Sequence, residues 1–124
     1  DLYVDLEFIN VSSYHGGVKS TDEITLVTDI RSDVKNRQVI ILEDIVDTGQ
    51  SLLFMKDLLR KRGAKSIKVA TLLDKKEGRK VSIDADYVGF DVRNEFVVGY
   101  GLDYKEMYRN LPYVGILKKE VYTD

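Results

Sequence analysis

The spacing of apolar residues predicts two strands at the start of the chain. Apolar side chains recur at every second position through Val4, Leu6 and Phe8, so residues 2–12 are predicted to form a strand. The run ITLVTDI at 24–30 predicts a second strand. Because the residues between them are mostly polar and include two glycines, we expect the two strands to pair as a long hairpin closed by a loop.

The central part of the chain changes from a strand pattern to a helix pattern and back. Residues 39–42 are four apolar residues in a row, which is typical of a strand covered on both faces. From Gln50 onward the apolar residues fall on one helical face, and Gly63 suits the position just after a helix. Residues 67–73 predict the next strand. A helix of about a dozen residues between two strands implies a right-handed crossover and a parallel sheet, so the predicted class is α/β.

The remaining residues predict short elements. Residues 87–90, 96–100 and 114–117 are predicted to form short strands, and residues 104–110 one or two helical turns. The chain contains no repeat and no proline-rich linker, so we expect residues 1–124 to form a single domain.

Composition narrows the classes of function. The chain has 124 residues, 44% of them hydrophobic, and a formal net charge of −2, which does not favour a nucleic-acid binder acting through bulk charge. The absence of cysteine excludes disulfides, thiol catalysis and cysteine-ligated zinc, and is consistent with the cytosol. A single histidine disfavours a histidine-based metal site or triad. No apolar run approaches the ~20 residues that cross a bilayer, so no membrane partner is expected.

The segment VIILEDIVDTGQS at 39–51 places three acids where a strand is predicted to give way to a helix. In open α/β sheets, ligands bind beyond the carboxyl ends of strands and beside helix N-termini. Gly49 permits a tight turn, and the N–H groups of residues 48–51 are expected to face an anion, although no lysine accompanies them. Adjacent acids on a strand point to opposite faces unless the backbone bends, and Glu43 and Asp44 suit sugar hydroxyls or a cation. The segment therefore predicts a site for a sugar phosphate.

Two other interpretations of the same residues remain open at this point. Thr48 could simply cap the helix, with Asp47 stabilised by the positive end of the helix dipole. Asp47-Thr48-Gly49 is also the signature of a homodimeric aspartic protease, in which two carboxylates share a proton. Protease folds of that kind are all-β, however, whereas the residues after Gly49 have a helical period.

The segment 39–51 closely resembles the phosphoribosyl-diphosphate-binding signature of the type I phosphoribosyltransferases. Three companion segments, SSYHGGVKS at 12–20, KVATLLDKK at 68–76 and residues 86–117, resemble the hypoxanthine-guanine (6-oxopurine) branch. The resemblance implies a mainly parallel sheet flanked by helices, with a long hairpin and flexible loop. It further implies a cytoplasmic homodimer or homotetramer for purine salvage, which transfers the phosphoribosyl group from phosphoribosyl diphosphate to hypoxanthine or guanine. The expected products are a nucleoside monophosphate and pyrophosphate.

The resemblance also assigns roles around the phosphoribosyl group. Glu43 and Asp44 match acids that approach the ribose hydroxyls, where they would stabilise an oxocarbenium-like transition state. Asp47 matches the carboxylate that accepts the proton from N7 of the base, so it is the candidate catalytic residue. The other residues matched to the sugar-phosphate site are Ile45, Val46, Thr48, Gly49, Gln50 and Ser51.

On the base side, Lys75 matches a lysine that donates to O6 of the purine, which would favour a 6-oxo group over the 6-amino group of adenine. Without the resemblance, Lys75 would be interpreted as an exposed member of a charged run. Phe96 matches the ring that stacks on the base, and otherwise suits an ordinary core position. Glu95 and Val97 flank it, and Val97 would contact the base through its main chain.

The resemblance further implies Mg²⁺ as a cofactor, bound by few protein carboxylates together with phosphate oxygens and water. Arg109 matches a pyrophosphate contact, for which a planar fork of donors is suited. Ser13 and Tyr14 open the segment that matches a mobile loop closing over the reacting centre. The candidate magnesium ligands are Glu43, Asp44 and Asp103.

The chain departs from the family pattern at its start. Members carry a longer segment ahead of the matching region, with the first core strand and helix and a short pyrophosphate-binding loop. We find no such loop, so the resemblance implies that N-terminal core elements are missing, and a true truncation would be poorly active and prone to associate. Two other functions also remain open. These are a non-catalytic sensor of phosphoribosyl diphosphate, and an enzyme specific for xanthine or a pyrimidine.

Overall fold

A three-stranded parallel sheet forms the centre of the computed structural model, which describes residues 2–14 and 23–123. The strands are β1 (Asn10–Tyr14), β2 (Glu23–Thr28), β3 (Gln38–Val46), β4 (Ser66–Asp74), β5 (Tyr87–Asp91), β6 (Val97–Val98) and β7 (Gly115–Ile116). The helices are α1 (Gln50–Lys61) and α2 (Lys119–Tyr122), with a 3-10 turn at Lys76–Gly78. Within these described ranges, no helix has the length and apolarity needed to cross a membrane.

The parallel sheet has the order β3-β4-β5, with β4 in the middle. α1 connects β3 to β4 as the sequence predicts, and both strands extend the predicted apolar cores by one to four residues at their ends. The α/β class and the parallel sheet are therefore confirmed.

α1 packs its apolar side on one face of the sheet. Leu52, Met55 and Leu59 are buried in one cluster with Ile41 of β3 and Val69 of β4. Glycines in the left-handed conformation stand at both ends of the helix, Gly49 at its N-cap (φ +83°) and Gly63 just after its C-cap (φ +88°). These positions favour glycine because a Cβ is strained at such φ angles.

The opposite face of the sheet differs from the prediction. The apolar run 39–42 predicts a strand covered on both sides, but Ile40 is 63% and Leu42 is 74% exposed. α1 covers only the face that carries Val39 and Ile41, and within the described ranges no element packs over the other face.

The predicted hairpin is confirmed, but its first strand is shorter than expected. β1 pairs antiparallel with β2, from Asn10 opposite Thr28 to Tyr14 opposite Glu23. Residues 2–9 have the period of a strand, yet no strand among residues 2–14 and 23–123 pairs with them, and they are mostly exposed. Side-chain bonds hold them instead: Asp5 pairs with Arg37 at 2.6 Å, and Glu7 accepts the N–H of Ser32.

The C-terminal part has little regular structure. β6 and β7 form a two-residue antiparallel pair, much shorter than the strand predicted for 96–100. The helical turns predicted for 104–110 are wrong, because Lys105, Glu106 and Tyr108 all have positive φ angles. Tyr104 and Met107 exchange backbone hydrogen bonds and form a tight reversal instead. The polarity of these residues suits such turns as well as a helix, so the pattern could not separate them.

Candidate active site

The carboxyl ends of β3 and β4 lie level with each other. Residue pairing keeps a constant offset from Gln38 opposite Ser66 to Val46 opposite Asp74. The two segments that leave these strands, 47–51 and 75–80, therefore start side by side at one edge of the sheet. We call them the acidic turn and the basic turn.

The basic turn holds the backbone carbonyl groups of the acidic turn. The Lys75 N–H donates to the Val46 carbonyl at 2.9 Å, and the Lys80 N–H donates to the Thr48 carbonyl at 2.9 Å. The guanidinium of Arg79 donates to the Val46 and Asp47 carbonyls, each at 3.0 Å. Three successive carbonyls thus face away from the open side of the site.

This arrangement turns the N–H groups of the acidic turn towards the cavity. The peptide bonds are trans, so each N–H points opposite to the carbonyl of its own peptide unit. In the described part of the chain, no hydrogen bond uses the backbone N–H of Thr48, Gly49 or Ser51. Free N–H groups at the start of a helix favour an anion, which is the geometry that the predicted sugar-phosphate site requires.

A cavity of about 280 Å³ opens beside these groups. Its lining includes Glu43, Asp47 and residues of the acidic turn together with the start of β1. The lining residues are Ile9, Asn10, Val11, Glu43, Ile45, Val46, Asp47, Thr48, Gly49, Ser51, Leu52 and Met55. Gln50 belongs to the same turn without lining the cavity, and its N–H donates to Thr48 Oγ1 at 3.3 Å.

Asp47 and Lys75 form an ion pair between the two turns. Lys75 Nζ lies 3.6 Å from Asp47 Oδ2, with the lysine side chain only 10% exposed and that of Asp47 47% exposed. Lys75 is therefore a buried cation with an acid partner, and not the exposed member of a charged run. The basic turn passes close behind this acid, since a Cβ at Gly78 would overlap Asp47 Oδ1.

Glu43 and Asp44 separate as the strand geometry requires. The pairing of β3 with β4 continues through them without a change of offset, so their side chains lie on opposite faces. Glu43 lines the cavity, and its burial, followed by the nearby charge of Asp44, raises its pKa to about 7. Asp44 is exposed and accepts the N–H of Ile45 at 2.7 Å.

Asp103 and Arg109 lie in the loop between β6 and β7. Arg109 donates to the Gly101 carbonyl at 2.9 Å and to Glu106 at 2.9 Å, and lies 3.4 Å from Asp103. The hydrogen bond to Glu106 raises the pKa of Arg109, and the charges of Asp103, Glu106 and Asp44 add to this effect.

The residues matched to the base form a separate aromatic cluster. Phe96 meets Tyr104 edge-on at 5.6 Å between ring centroids and lies 5.3 Å from Tyr122. Val97 begins β6, and Glu95 precedes Phe96 with its N–H bonded to the Arg93 carbonyl. None of the three lines the cavity of the acidic turn.

Ser13 and Tyr14 end β1, where their backbones pair with Ile24 and Glu23. The loop that they were predicted to open, residues 15–22, lies outside the described residues. Across residues 2–14 and 23–123, no group of three or more acids or histidines forms a metal cage. Mg²⁺ typically takes only one or two protein carboxylates besides substrate oxygens and water, and Glu43, Asp44 and Asp103 remain the candidate carboxylates.

Sequence reasoning missed Arg79 and Asp74. Arg79 stands inside the run KKEGRK, which is interpreted as a solvated surface, and Asp74 is an acid at the end of a strand. In the structure they form a buried pair at 2.5 Å. An acid directly after the apolar pair Leu72-Leu73 at the end of a strand, followed five residues later by an arginine, is the signal that could have revealed the pair.

Comparison with known proteins identifies close relatives of the chain. The family model described as the phosphoribosyl transferase domain matches residues 1–105. A hypoxanthine-guanine phosphoribosyltransferase of Streptococcus pneumoniae is 56% identical over 124 residues, which are 100% of this chain and 69% of that protein. One of Lactococcus lactis is 57% identical over 123 residues, 99% of this chain and 67% of that protein. The crystal structure of a hypoxanthine phosphoribosyltransferase from Staphylococcus aureus superposes with a TM-score of 0.91 at 50% identity, over 100% of this chain and 67% of that one.

Proposed function

Because the chain belongs to the hypoxanthine-guanine phosphoribosyltransferases, purine salvage enzymes with the type I phosphoribosyltransferase fold, we propose that its acidic turn is the reacting centre. There the phosphoribosyl group of phosphoribosyl diphosphate passes to N9 of hypoxanthine or guanine, giving IMP or GMP and pyrophosphate. The observation that carries this proposal is the position of the Asp47–Lys75 pair directly beside free N–H groups at the start of α1.

The 5′-phosphate binds to the N–H groups of the acidic turn. The N–H groups of Thr48, Gly49 and Ser51 have no partner within the described residues, and the hydroxyls of Thr48 and Ser51 add donors. The N-terminus of a helix favours an anion through these groups and through the helix dipole. No lysine side chain is needed for this contact.

Asp47 and Lys75 recognise one edge of the purine. N7 and O6 are neighbours on that edge of a 6-oxopurine, and the Asp47 and Lys75 charges lie 3.6 Å apart. Asp47 accepts the proton from N7 while Lys75 donates to O6. Adenine presents an amino group at the second position and would leave the buried Lys75 without an acceptor, which supports selectivity for 6-oxopurines.

Glu43 and Asp44 act on the ribose, where positive charge grows in the transition state. Glu43 reaches the sugar from the cavity, and Asp44 lies on the side of Arg109. One or two of the carboxylates of Glu43, Asp44 and Asp103 would hold Mg²⁺, which would supply neutralisation of the charge on the pyrophosphate leaving group. Arg109 contacts the same leaving group through its fork of donors.

Further parts of the proposal rest on the family alone. Phe96 stacks on the base, with Glu95 and Val97 beside it. Ser13 and Tyr14 open the loop that covers the reacting centre. We also propose a cytoplasmic homodimer or homotetramer, to be tested by light scattering of the purified protein.

Asp47→Asn tests the catalytic assignment. Because asparagine keeps the shape but cannot accept the N7 proton, kcat should fall by roughly 10²–10⁴-fold while affinity for phosphoribosyl diphosphate is retained. The assay follows IMP formation by absorbance with hypoxanthine, the donor and Mg²⁺. Normal turnover by the variant would remove Asp47 from the reaction, and donor binding by the wild-type protein without product would support a sensor.

A further inference from the structure

We propose that Arg79, held by buried Asp74, is a positioning residue that fixes the acidic turn and the Asp47–Lys75 pair. The inference rests on the proposed function, because it concerns how the same site is kept in its reactive geometry. Arg79 touches neither the cavity nor the substrate groups directly, since it does not line the cavity. It acts through the backbone.

All three nitrogens of the Arg79 guanidinium donate to protein groups. Nη1 donates to the carbonyls of Val46 and Asp47 at 3.0 Å and of Lys75 at 3.3 Å. Nε donates to the Ile83 carbonyl at 2.9 Å, and Nη2 to Asp74 at 2.5 Å. One side chain thereby joins the acidic turn, the basic turn and the segment that follows it.

The low exposure of both side chains makes these hydrogen bonds and the ion pair stronger than they would be in water. The side chain of Arg79 is 14% exposed and that of Asp74 is 1% exposed. A buried cation needs a paired acid and satisfied donors, and Arg79 has both. Its stem also lies against the acidic turn, since a Cβ at Gly49 would come within 3.3 Å of Arg79 Cδ.

The contacts explain how Arg79 affects both substrates. Its bonds to the Val46 and Asp47 carbonyls hold those peptide units with their N–H groups towards the phosphate position. Its bond to the Lys75 carbonyl ties the residue that faces O6 to the residue that faces N7. If Arg79 is removed, both the phosphate-binding N–H groups and the spacing of Asp47 from Lys75 should loosen together.

Lysine cannot replace this arrangement. Its single ammonium group can pair with Asp74 but lacks the planar fork that reaches carbonyls on three segments. Arg79→Lys therefore keeps the positive charge but loses the hydrogen bonds to the backbone carbonyls. Arg62→Lys is the matched control, because Arg62 forks onto Asp29 at 2.7 and 2.6 Å on a part of the surface away from the acidic turn.

The experiment measures binding and turnover separately, at a temperature where each variant is folded by circular dichroism. For Arg79→Lys we expect GMP affinity, measured by calorimetry, to fall roughly 10- to 100-fold, the range for losing hydrogen bonds to a charged group. We expect kcat for hypoxanthine to fall as well, and Arg62→Lys to match the wild type in both. GMP affinity and kcat of Arg79→Lys within about twofold of Arg62→Lys would overturn the proposal, whatever its unfolding temperature.

A second variant covers the case in which Arg79→Lys does not fold. Asp74→Asn retains the guanidinium and removes its counter-charge, so the same two readouts should fall in the same direction, and unchanged values would overturn the proposal. The failure of the proposed function is distinct. If the wild type forms no IMP, or Asp47→Asn turns over normally, that function is wrong, while weaker GMP binding by Arg79→Lys would still support the positioning role.

Discussion

Two arginines at the site are used in opposite ways. Arg79 is buried and gives its donors to three segments of backbone and to Asp74. Arg109 is exposed, on a loop with several positive φ angles, and its partners are one carbonyl and neighbouring acids. We call the part around Arg79 and the acidic turn the rigid half of the site. We call the loop around Arg109 the open half.

The difference separates positioning from ligand binding. An arginine whose three nitrogens all donate to protein groups cannot exchange those bonds for a substrate without disturbing the segments that it joins. An exposed arginine paired with surface acids can exchange them, because water and salt already weaken such pairs. We therefore expect changes in the rigid half to alter stability and chemistry together, and changes in the open half to alter substrate binding alone.

Gly49→Ala should break the rigid half most strongly. The substitution adds a Cβ at φ +83°, where it would also collide with the Ile83 side chain. We expect the free energy of unfolding to fall by at least about 2 kcal/mol and the KM for phosphoribosyl diphosphate to rise roughly 100-fold. Urea unfolding and steady-state kinetics measure these effects.

The control for Gly49→Ala is Gly63→Ala at the other end of α1. Gly63 has the same left-handed conformation (φ +88°), but a Cβ there would meet only Lys35 at 3.3 Å or more. It should lose about 1 kcal/mol of stability and keep wild-type kinetics. Equal kinetic effects of the two substitutions would show that the acidic turn needs no special packing.

Glu43→Gln tests whether burial controls charge in the rigid half. The folded pKa of Glu43 is raised from 4.5 to about 7, so its contribution to stability is present below pH 4.5 and is lost as the pH rises through 7. Glutamine cannot ionise, so the variant should be more stable than the wild type by about 2 kcal/mol at pH 8, after allowance for partial exposure, and nearly equal to it at pH 4. Urea unfolding between pH 4 and 8 measures the difference.

For Glu43→Gln, the matched control is Glu120→Gln, an exposed glutamate on α2. Its stability curve should follow that of the wild type across the whole range. A curve for Glu43→Gln that runs parallel to the wild type would mean that the Glu43 carboxyl is hydrated in the folded protein.

Arg109→Ala addresses the open half and should have the smallest effect. Its pairs are exposed, so the unfolding temperature should match that of the wild type. The KM for phosphoribosyl diphosphate should rise about tenfold through loss of a charge-assisted contact to pyrophosphate. Arg60→Ala, which removes an exposed pair with Asp57 on α1, is the control. If Arg109→Ala lost much stability and Arg60→Ala did not, the open half would contribute to stability as the rigid half does, and the distinction between them would be wrong.

The sequence predicts the rigid half well. Hydrophobic periodicity locates β3, α1 and β4, and the position of the acidic turn between them follows from the change of period. These elements are determined locally, by apolar spacing and by glycines at both helix ends. That the N–H groups of Thr48, Gly49 and Ser51 stay free within the described residues could be predicted, because a helix N-terminus leaves its first N–H groups unpaired whatever the side chains are.

The open half could not be predicted in the same way. In residues 104–110 the conformation depends on left-handed residues such as Lys105 and Glu106, which have no sequence signature of their own. Residues 2–9 show that a period of two does not by itself make a strand, because no strand in the described part of the chain pairs with them. Arg79 was missed because only the folded structure shows which charged residues of a run are buried.

The constant offset between β3 and β4 also has a consequence for how the chain can change in length. At the beginning of the two strands, the Asn36 N–H donates to the Gly63 carbonyl at 2.9 Å and the Lys65 N–H to the Arg37 carbonyl at 2.8 Å. The connection from α1 to β4 is thus hydrogen-bonded to the start of β3, at the opposite end of the strands from the acidic turn. Insertions and deletions that fall in this connection should be accommodated there, as surface connections generally allow, without moving the acidic turn.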